Sequence, residues 1–331
     1  MINLKKFIYN KSKMLNLFQI FGGYALQPFF LLIHLTLACN LRCDNCYQLN
    51  DEFYSSLKNF NIKPDDFEKI LKETKVFLIK PRIHFFGGEP LLNPYFVELL
   101  NLADKYGFKS SITTNGILLN KYIKNILNSD LDQINVSIND VKEKYDKIIT
   151  AIRSLKQKSN KGRHKKIVNI NCVVSENNQN HLVDIAKYFV DNNIDIDVLA
   201  FQHPYFSLSG PNIDLDVLVS QLRKIVTLKA NFEILTIPHI KFKDLPAFYF
   251  SQKTNIFKNN CIIPWLGLNI LPDLKVTPAG GVLGCNLIVG DLKHDSLKTI
   301  WNNSAMRNFR KNIIKHNLPA ACFRCCHRQY Y

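Results

Sequence analysis

The sequence has no internal repeat and no low-complexity tract, so solenoid and linker-like architectures are excluded. Acidic residues are scarce: 27 Asp and Glu stand against 43 Lys and Arg, a formal net charge of +16. That balance favours nucleic acid, anionic lipid or an anionic substrate as partner, or reflects a chain simply rich in Lys, Asn and Ile. The densest basic stretch, KQKSNKGRHKK at Lys156 to Lys166, lacks interleaved aromatics. It has no platform on which single-stranded bases would stack, which argues against a nucleic-acid partner. Charged residues make up only 21% and hydrophobic residues 47%, which excludes disorder as the main state and fits a soluble globular protein. The 331 residues suffice for one large domain or two ordinary ones.

An unbroken apolar run is also missing. Basic MINLKKFIYNKSK precedes LNLFQIFGGYALQPFFLLIHLTLA, but Gln19, Gly22, Gly23, Gln27 and Pro28 interrupt it. Thr36 stands where a lipoprotein cleavage site would carry a branched apolar residue, and export would send nine cysteines to an oxidising compartment. A cytoplasmic location is expected. Residues 5–20 read as a helix packing on the domain, with contact to a membrane surface as the alternative.

What is present is alternation. From residue 31, strand-like runs (Ile33 to Ala38, RIHFF, KSSITT, QINVSI, IVNINCVV, IDVLAFQ) alternate with helix-like ones, ending with IDLDVLVSQLRKIVTL. Six such β-α units imply a parallel sheet. A Rossmann fold needs a Gly-rich turn after its first strand, and here that turn is rich in cysteine. The expected fold class is therefore α/β, a partial (β/α)6 TIM-like barrel over residues 31–228. A basic and apolar extension at 1–30 precedes it, and a smaller Cys-rich module at 229–331 follows. In barrels of this kind the chemistry lies at the C-terminal strand ends. CNLRCDNC, GGEP, TTNG and SIND fall at the ends of strands one to four.

Cys39, Cys43 and Cys46 are spaced C-x3-C-x2-C. On a loop they can converge on one centre. Tetrahedral zinc would need a fourth ligand, for which His34 and His84 are the candidates. A four-iron cluster held by three cysteines leaves one iron open.

CNLRCDNCY, with FFGGEP at Phe85 to Pro90 and TTNG at Thr113 to Gly116, resembles the radical S-adenosylmethionine enzymes across nearly the whole chain. The resemblance implies that Cys39, Cys43 and Cys46 hold a [4Fe–4S] cluster whose open iron is chelated by S-adenosylmethionine. Gly87, Gly88, Glu89 and Pro90 would then form the methionine-binding element, with Glu89 accepting from the ammonium. Asn115, Ser137 and Asn171 are implied as further cofactor contacts. The chain departs from the family pattern at Asn45, where many members carry an aromatic residue (Tyr47 is close by), and at Asn139, where many carry Asp. The implied chemistry is reductive cleavage of the cofactor to a 5′-deoxyadenosyl radical that abstracts hydrogen from an unreactive C–H. The electron would come from a donor such as flavodoxin or ferredoxin.

CIIPW, GCNLIVGDLKHDSLKTIWNN and LPAACFRCC resemble the SPASM domain or its shorter twitch form. That resemblance implies an auxiliary [4Fe–4S] cluster on Cys261, Cys285, Cys322 and Cys325, with zinc as the alternative and Cys326 left over. Four thiolates would leave no iron open. Cys172, mid-strand, reads as a small core residue, with a hydrogen-donor role as the alternative. The substrate is expected to be a sugar, a lipid-linked group or another anionic metabolite, since little chain precedes the barrel to recognise a leader. Peptide modification is the second reading, and a non-catalytic electron-transfer or zinc protein the reading from another class.

Overall fold

The computed structural model describes residues 22–43, 46, 48, 54, 56–140, 145–159, 165–204, 212–251, 261–278, 287–317, 322 and 325. Cys285, Cys326, Asn45, Tyr47 and the expected helix at 5–20 lie outside the described residues.

The first strand, β1 (Phe30–Thr36), is buried on both faces, as expected of a strand sandwiched in a parallel sheet. Helix α1 (Pro64–Glu73) begins with Pro64 at its first turn, followed by Asp65 and Asp66. Proline there loses no hydrogen bond, and the acids suit the positive end of the helix dipole. Phe67, Ile70 and Leu71 form its buried stripe. The alternation then runs β2 (Arg82–Gly87), α2 (Phe96–Lys105), β3 (Ser110–Thr114), α3 (Leu119–Leu127) and β4 (Leu131–Ser137). It continues with α4 (Asp146–Ser159), β5 (Ile167–Val173), α5 (Leu182–Asp191), β6 (Val198–Gln202) and α6 (Leu215–Val226).

A seventh strand, β7 (Glu233–Ile237), pairs parallel to β6, one more than the six units that the sequence suggests. Its five residues are exposed or half-buried throughout, so no hydrophobic alternation marks it. After α7 (Leu245–Phe250) come β8 (Gly267–Ile270), β9 (Lys275–Pro278) and β10 (Gly290–Asp291). The sheet order is β10-β9-β8-β1-β2-β3-β4-β5-β6-β7. β8 joins β1 in parallel, while β9 and β10 are antiparallel. The segment after residue 228 thus supplies strands to both edges of the sheet.

Alternate residues divide the sheet's two faces. Ile83, Phe85, Ile112, Ile134, Val168 and Ile170 are all fully buried against the helices. Helices α8 (Leu297–Trp301) and α9 (Ser304–Ile314) add Leu297, Ile300, Met306 and Phe309 to the same core. Glu73 at the end of α1 accepts from the Leu297 amide at 2.6 Å. Arg310 is buried over the Trp301 ring and donates to the carbonyls of Pro264 (2.9 Å) and Gly23 (3.1 Å) and to Asn302 Oδ1 (2.9 Å). A planar fork with several donors can tie three segments at once, which a lysine cannot. No described helix is long and apolar enough to cross a membrane.

Two imidazoles are sealed inside. His34 is fully buried, edge-on to Phe86 at 5.2 Å, and burial pushes its pKa down to about 3. His203 is hydrogen-bonded through Nδ1 to Tyr249 Oη at 2.7 Å and is likewise lowered to about 3 by burial. In the unfolded chain both would protonate near their ordinary value of 6.5. The unfolded state therefore binds more protons in this window, and stability falls as pH drops from 6.5 towards 3. The expected slope is about 1.4 kcal/mol per pH unit for each histidine. Urea unfolding across this range should show it, and His203→Phe should flatten the curve by about one histidine's share. An unaltered slope in that variant would mean that the imidazole is not sealed from solvent.

Candidate active site

The site is built where β1, β2 and β3 end. After Thr36 the chain turns outward and carries Cys39. The strand end of β2 presses against it: Gly88 N donates to Thr36 O at 2.9 Å and Glu89 N to Ala38 O at 2.8 Å. A Cβ on Gly88 would lie 2.4 Å from Ala38 O and 2.6 Å from Leu37 O. Gly87, at φ +140°, would place one 2.0 Å from Thr36 O. No side chain fits there. The close approach that these glycines permit is thus to the backbone leading into the cysteine loop.

In that loop Cys46 N donates to Cys43 O at 3.1 Å, a tight turn that keeps the two cysteines together. Leu41 N donates to Cys39 Sγ at 3.4 Å. Cys39 and Cys46 are half-buried and Cys43 is exposed, so the loop offers its sulfurs at the surface. Burial pushes the Cys39 thiol up, and the nearby Glu89 and Cys46 charges add to this.

Glu89 is fully enclosed. Its Oε1 accepts from Leu91 N (3.0 Å) and Thr114 Oγ1 (2.8 Å), and its Oε2 from Asn115 N (2.7 Å). Burial raises its pKa, and these three donors oppose that shift. A carboxylate has about four acceptor positions. Among the described residues three are used, which leaves one on Oε2. Pro90 starts the short 3-10 turn Pro90–Leu92 that Glu89 caps, and contributes shape rather than a polar contact.

Asn115 follows β3. Its Nδ2 donates to Asn40 Oδ1 at 2.7 Å and reaches Cys39 Sγ at 3.9 Å, while its Oδ1 accepts from Ile117 N. Ser137 and Asn171 are register partners on β4 and β5 and line the same concave face. Cys172 faces the other way: it is fully buried in the core among the helices, and burial raises its pKa. Asn139 is spent on structure, accepting from Val173 N at 2.9 Å.

Below the strand ends, the concave face carries a polar belt that sequence reading missed. His84 Nδ1 meets Ser111 Oγ at 2.8 Å and Nε2 meets Thr113 Oγ1 at 3.0 Å. Asn135 reaches Thr113 Oγ1, and Asn169 donates to Asn135 Oδ1 at 3.1 Å. Asn169 Oδ1 is buried with no partner among the described residues. Arg82, also on this face, is paired with Asp132. The signal was legible in SSITT, QINVS and NIN, where every second residue is polar on strands that a barrel would bury. Both nitrogens of His84 are committed, so it is no ready zinc ligand. Among the described residues, no three His, Cys, Asp or Glu side chains gather closely enough to hold a single metal ion.

In the C-terminal segment Cys261 and Cys322 are buried and Cys325 is half-buried, with Cys325 N 3.5 Å from Cys322 O. Cys261 precedes the turn Ile263–Trp265, which runs into β8, the neighbour of β1. Because β8 runs parallel to β1, with Gly267 opposite Phe30, Cys261 lies on the side where β1 begins, whereas Cys39 follows its other end.

Two family models match this chain: the Radical SAM superfamily over residues 33–189 and an iron-sulfur cluster-binding domain, SPASM, over residues 261–326. A protein of Pyrococcus furiosus described as a tungsten-containing aldehyde ferredoxin oxidoreductase cofactor-modifying protein is 25% identical over 89% of this chain and 86% of its own. A GTP 3′,8-cyclase of Staphylococcus epidermidis is 32% identical over 52% of this chain, which spans about half (53%) of that enzyme. Among solved structures, Streptococcus suis SuiB bound to the precursor peptide SuiA superposes with a TM-score of 0.65 at 18% identity, over 94% of this chain and 72% of that one. Native anSMEcpe with bound AdoMet gives 0.64 at 19% identity, over 91% and 89%. These likenesses bear out the partial-barrel fold. With the cysteine loop, the GGEP turn and both matches in place, the chain carries a radical SAM domain over residues 33–189 and a SPASM iron–sulfur cluster-binding domain over residues 261–326.

Proposed function

We propose that this protein cleaves S-adenosylmethionine reductively and removes hydrogen from an unactivated C–H of a polar substrate lodged against the concave face of the sheet. The observation that carries this reading is that Glu89, whose charge acts on Cys39, keeps one acceptor position on Oε2 that no described residue uses. The residues suit the cofactor: three thiolates on one exposed loop are cluster ligands, and the remaining carboxylate position suits an ammonium. When bound, the cluster and S-adenosylmethionine supply the one-electron chemistry. The chain's part is to hold and to orient. Cys39, Cys43 and Cys46 anchor the cluster, Glu89 receives the methionine ammonium, and Ser137 and Asn171 line the face beyond.

The belt of hydroxyls, amides and a neutral imidazole suits a substrate rich in uncharged hydrogen-bonding groups. Burial lowers the His84 pKa to about 4, so the ring is neutral at physiological pH, and Arg82 is already neutralised by Asp132. A sugar or a cofactor precursor fits this lining. Support comes from the Pyrococcus furiosus relative, whose description names a cofactor as what it modifies. Peptide modification is the second reading, since a peptide backbone offers the same kind of donors and acceptors. In the C-terminal segment Cys261, Cys285, Cys322 and Cys325 would hold a fully ligated auxiliary cluster that takes up an electron from the substrate side.

The anaerobically reconstituted protein should hold about eight irons, four per cluster. Joint replacement of Cys39, Cys43 and Cys46 by Ala should halve that content and abolish 5′-deoxyadenosine formation. Persistent 5′-deoxyadenosine in the triple variant would refute the assignment. Glu89→Gln should lower affinity for S-adenosylmethionine at least about tenfold, read by equilibrium binding with iron content intact, because an amide cannot replace a charge-assisted acceptor. Cys322→Ala with Cys325→Ala should stop product formation while cofactor cleavage continues. Loss of both activities in a folded protein would instead make the second cluster necessary for the first.

A further inference from the structure

We infer that Asn115 sets the reduction potential of the N-terminal cluster by hydrogen bonding to the Cys39 sulfur. This rests on the assignment of Cys39 as a cluster ligand. Among the described residues two N–H groups point at that sulfur: Leu41 N at 3.4 Å from within the loop, and Asn115 Nδ2 at 3.9 Å from the end of β3. The Leu41 contact follows from the turn itself. The Asn115 contact is built from outside the loop, and its backbone N–H and the rest of its side-chain amide are tied down. Its backbone N–H is held by Glu89 Oε2 at 2.7 Å, and its Oδ1 accepts from Ile117 N at 3.1 Å. Its second amide hydrogen is engaged by Asn40 Oδ1 at 2.7 Å, next to Cys39 in sequence. With Oδ1 and one hydrogen fixed, the amide plane has one orientation left, and it turns the remaining hydrogen towards the sulfur.

A donor aimed at a thiolate sulfur withdraws charge from it. Hydrogen bonds to the ligating sulfurs are among the factors that set iron–sulfur potentials, and they favour the more negative, reduced state. Asn115 therefore makes the cluster easier to reduce by a protein electron donor. Asn40 is a positioning residue in this arrangement, since it steers the amide without touching the sulfur through its own side chain.

The test is an EPR-monitored redox titration of the anaerobically reconstituted full chain without S-adenosylmethionine. The N-terminal signal is identified as the one missing from the triple cysteine variant. Asn115→Leu, which keeps the size and loses the donor, should move the midpoint of that signal to a more negative potential with about eight irons per chain still in place. The auxiliary signal should stay where it is. Asn115→Ser, a shorter donor, should shift it less. An N-terminal midpoint equal to that of the parent in Asn115→Leu would overturn the inference. Should that variant fail to assemble the cluster, Asn115→Ala is read in its place by the same criterion. Failure of the cluster assignment itself looks different: the triple cysteine variant would then keep both signals.

Discussion

The buried carboxylate of Glu89 is the tie on which the site depends. It lies at the end of β2, takes the amide of its own turn at Leu91, and reaches across to Thr114 and Asn115 at the end of β3. Its backbone amide meanwhile holds Ala38, one residue before Cys39. Three strand ends are thus pinned to one residue with no exposed surface. A buried carboxylate is costly unless donors surround it, and here three do. In the proposed reading, the methionine ammonium would take the fourth acceptor position.

Around that tie the two halves of the chain are interleaved rather than joined end to end. β7 extends one edge of the sheet, and β8 pairs with β1 at the other. Arg310 then binds Pro264, Gly23 and Asn302 in one grip, so the turn after Cys261 is fixed to the residues that lead into β1. The consequence is that Cys261 is held at the end of the sheet where β1 begins, across the length of that strand from the cysteine loop that follows Thr36. The belt from His84 to Asn169 supplies the remaining ingredient, a polar lining on the face that a closed barrel would fill with branched apolar side chains.

Much of this was legible in the residues. The order of strands and helices through α6 followed from hydrophobic periodicity, and the cysteine spacing with GGEP one unit later pointed to the family. Local spacing suffices for these because ligand loops and amphipathic stripes are short-range patterns. β7 was not legible, since none of its five residues is buried. The polar residues of β3 to β5 were visible in the sequence, but nothing local told that their face is concave and lines an interior.

The sequence by itself singled out the candidate residues: Cys39, Cys43 and Cys46 on a loop, Glu89 in a glycine turn, and a second group of cysteines far along the chain. Only the tertiary structure decided how they are used. It showed that Gly87 and Gly88 make room for backbone and not for a ligand, because the carbonyls of Thr36, Leu37 and Ala38 occupy the space a Cβ would take. It turned Cys172 into the core and Asn171 onto the concave face, a distinction that depends on which side the helices cover. It placed Asn115 over the sulfur of Cys39, 76 residues away in the chain. Contacts of that separation depend on strand register and on how the sheet is packed, and no local pattern encodes either.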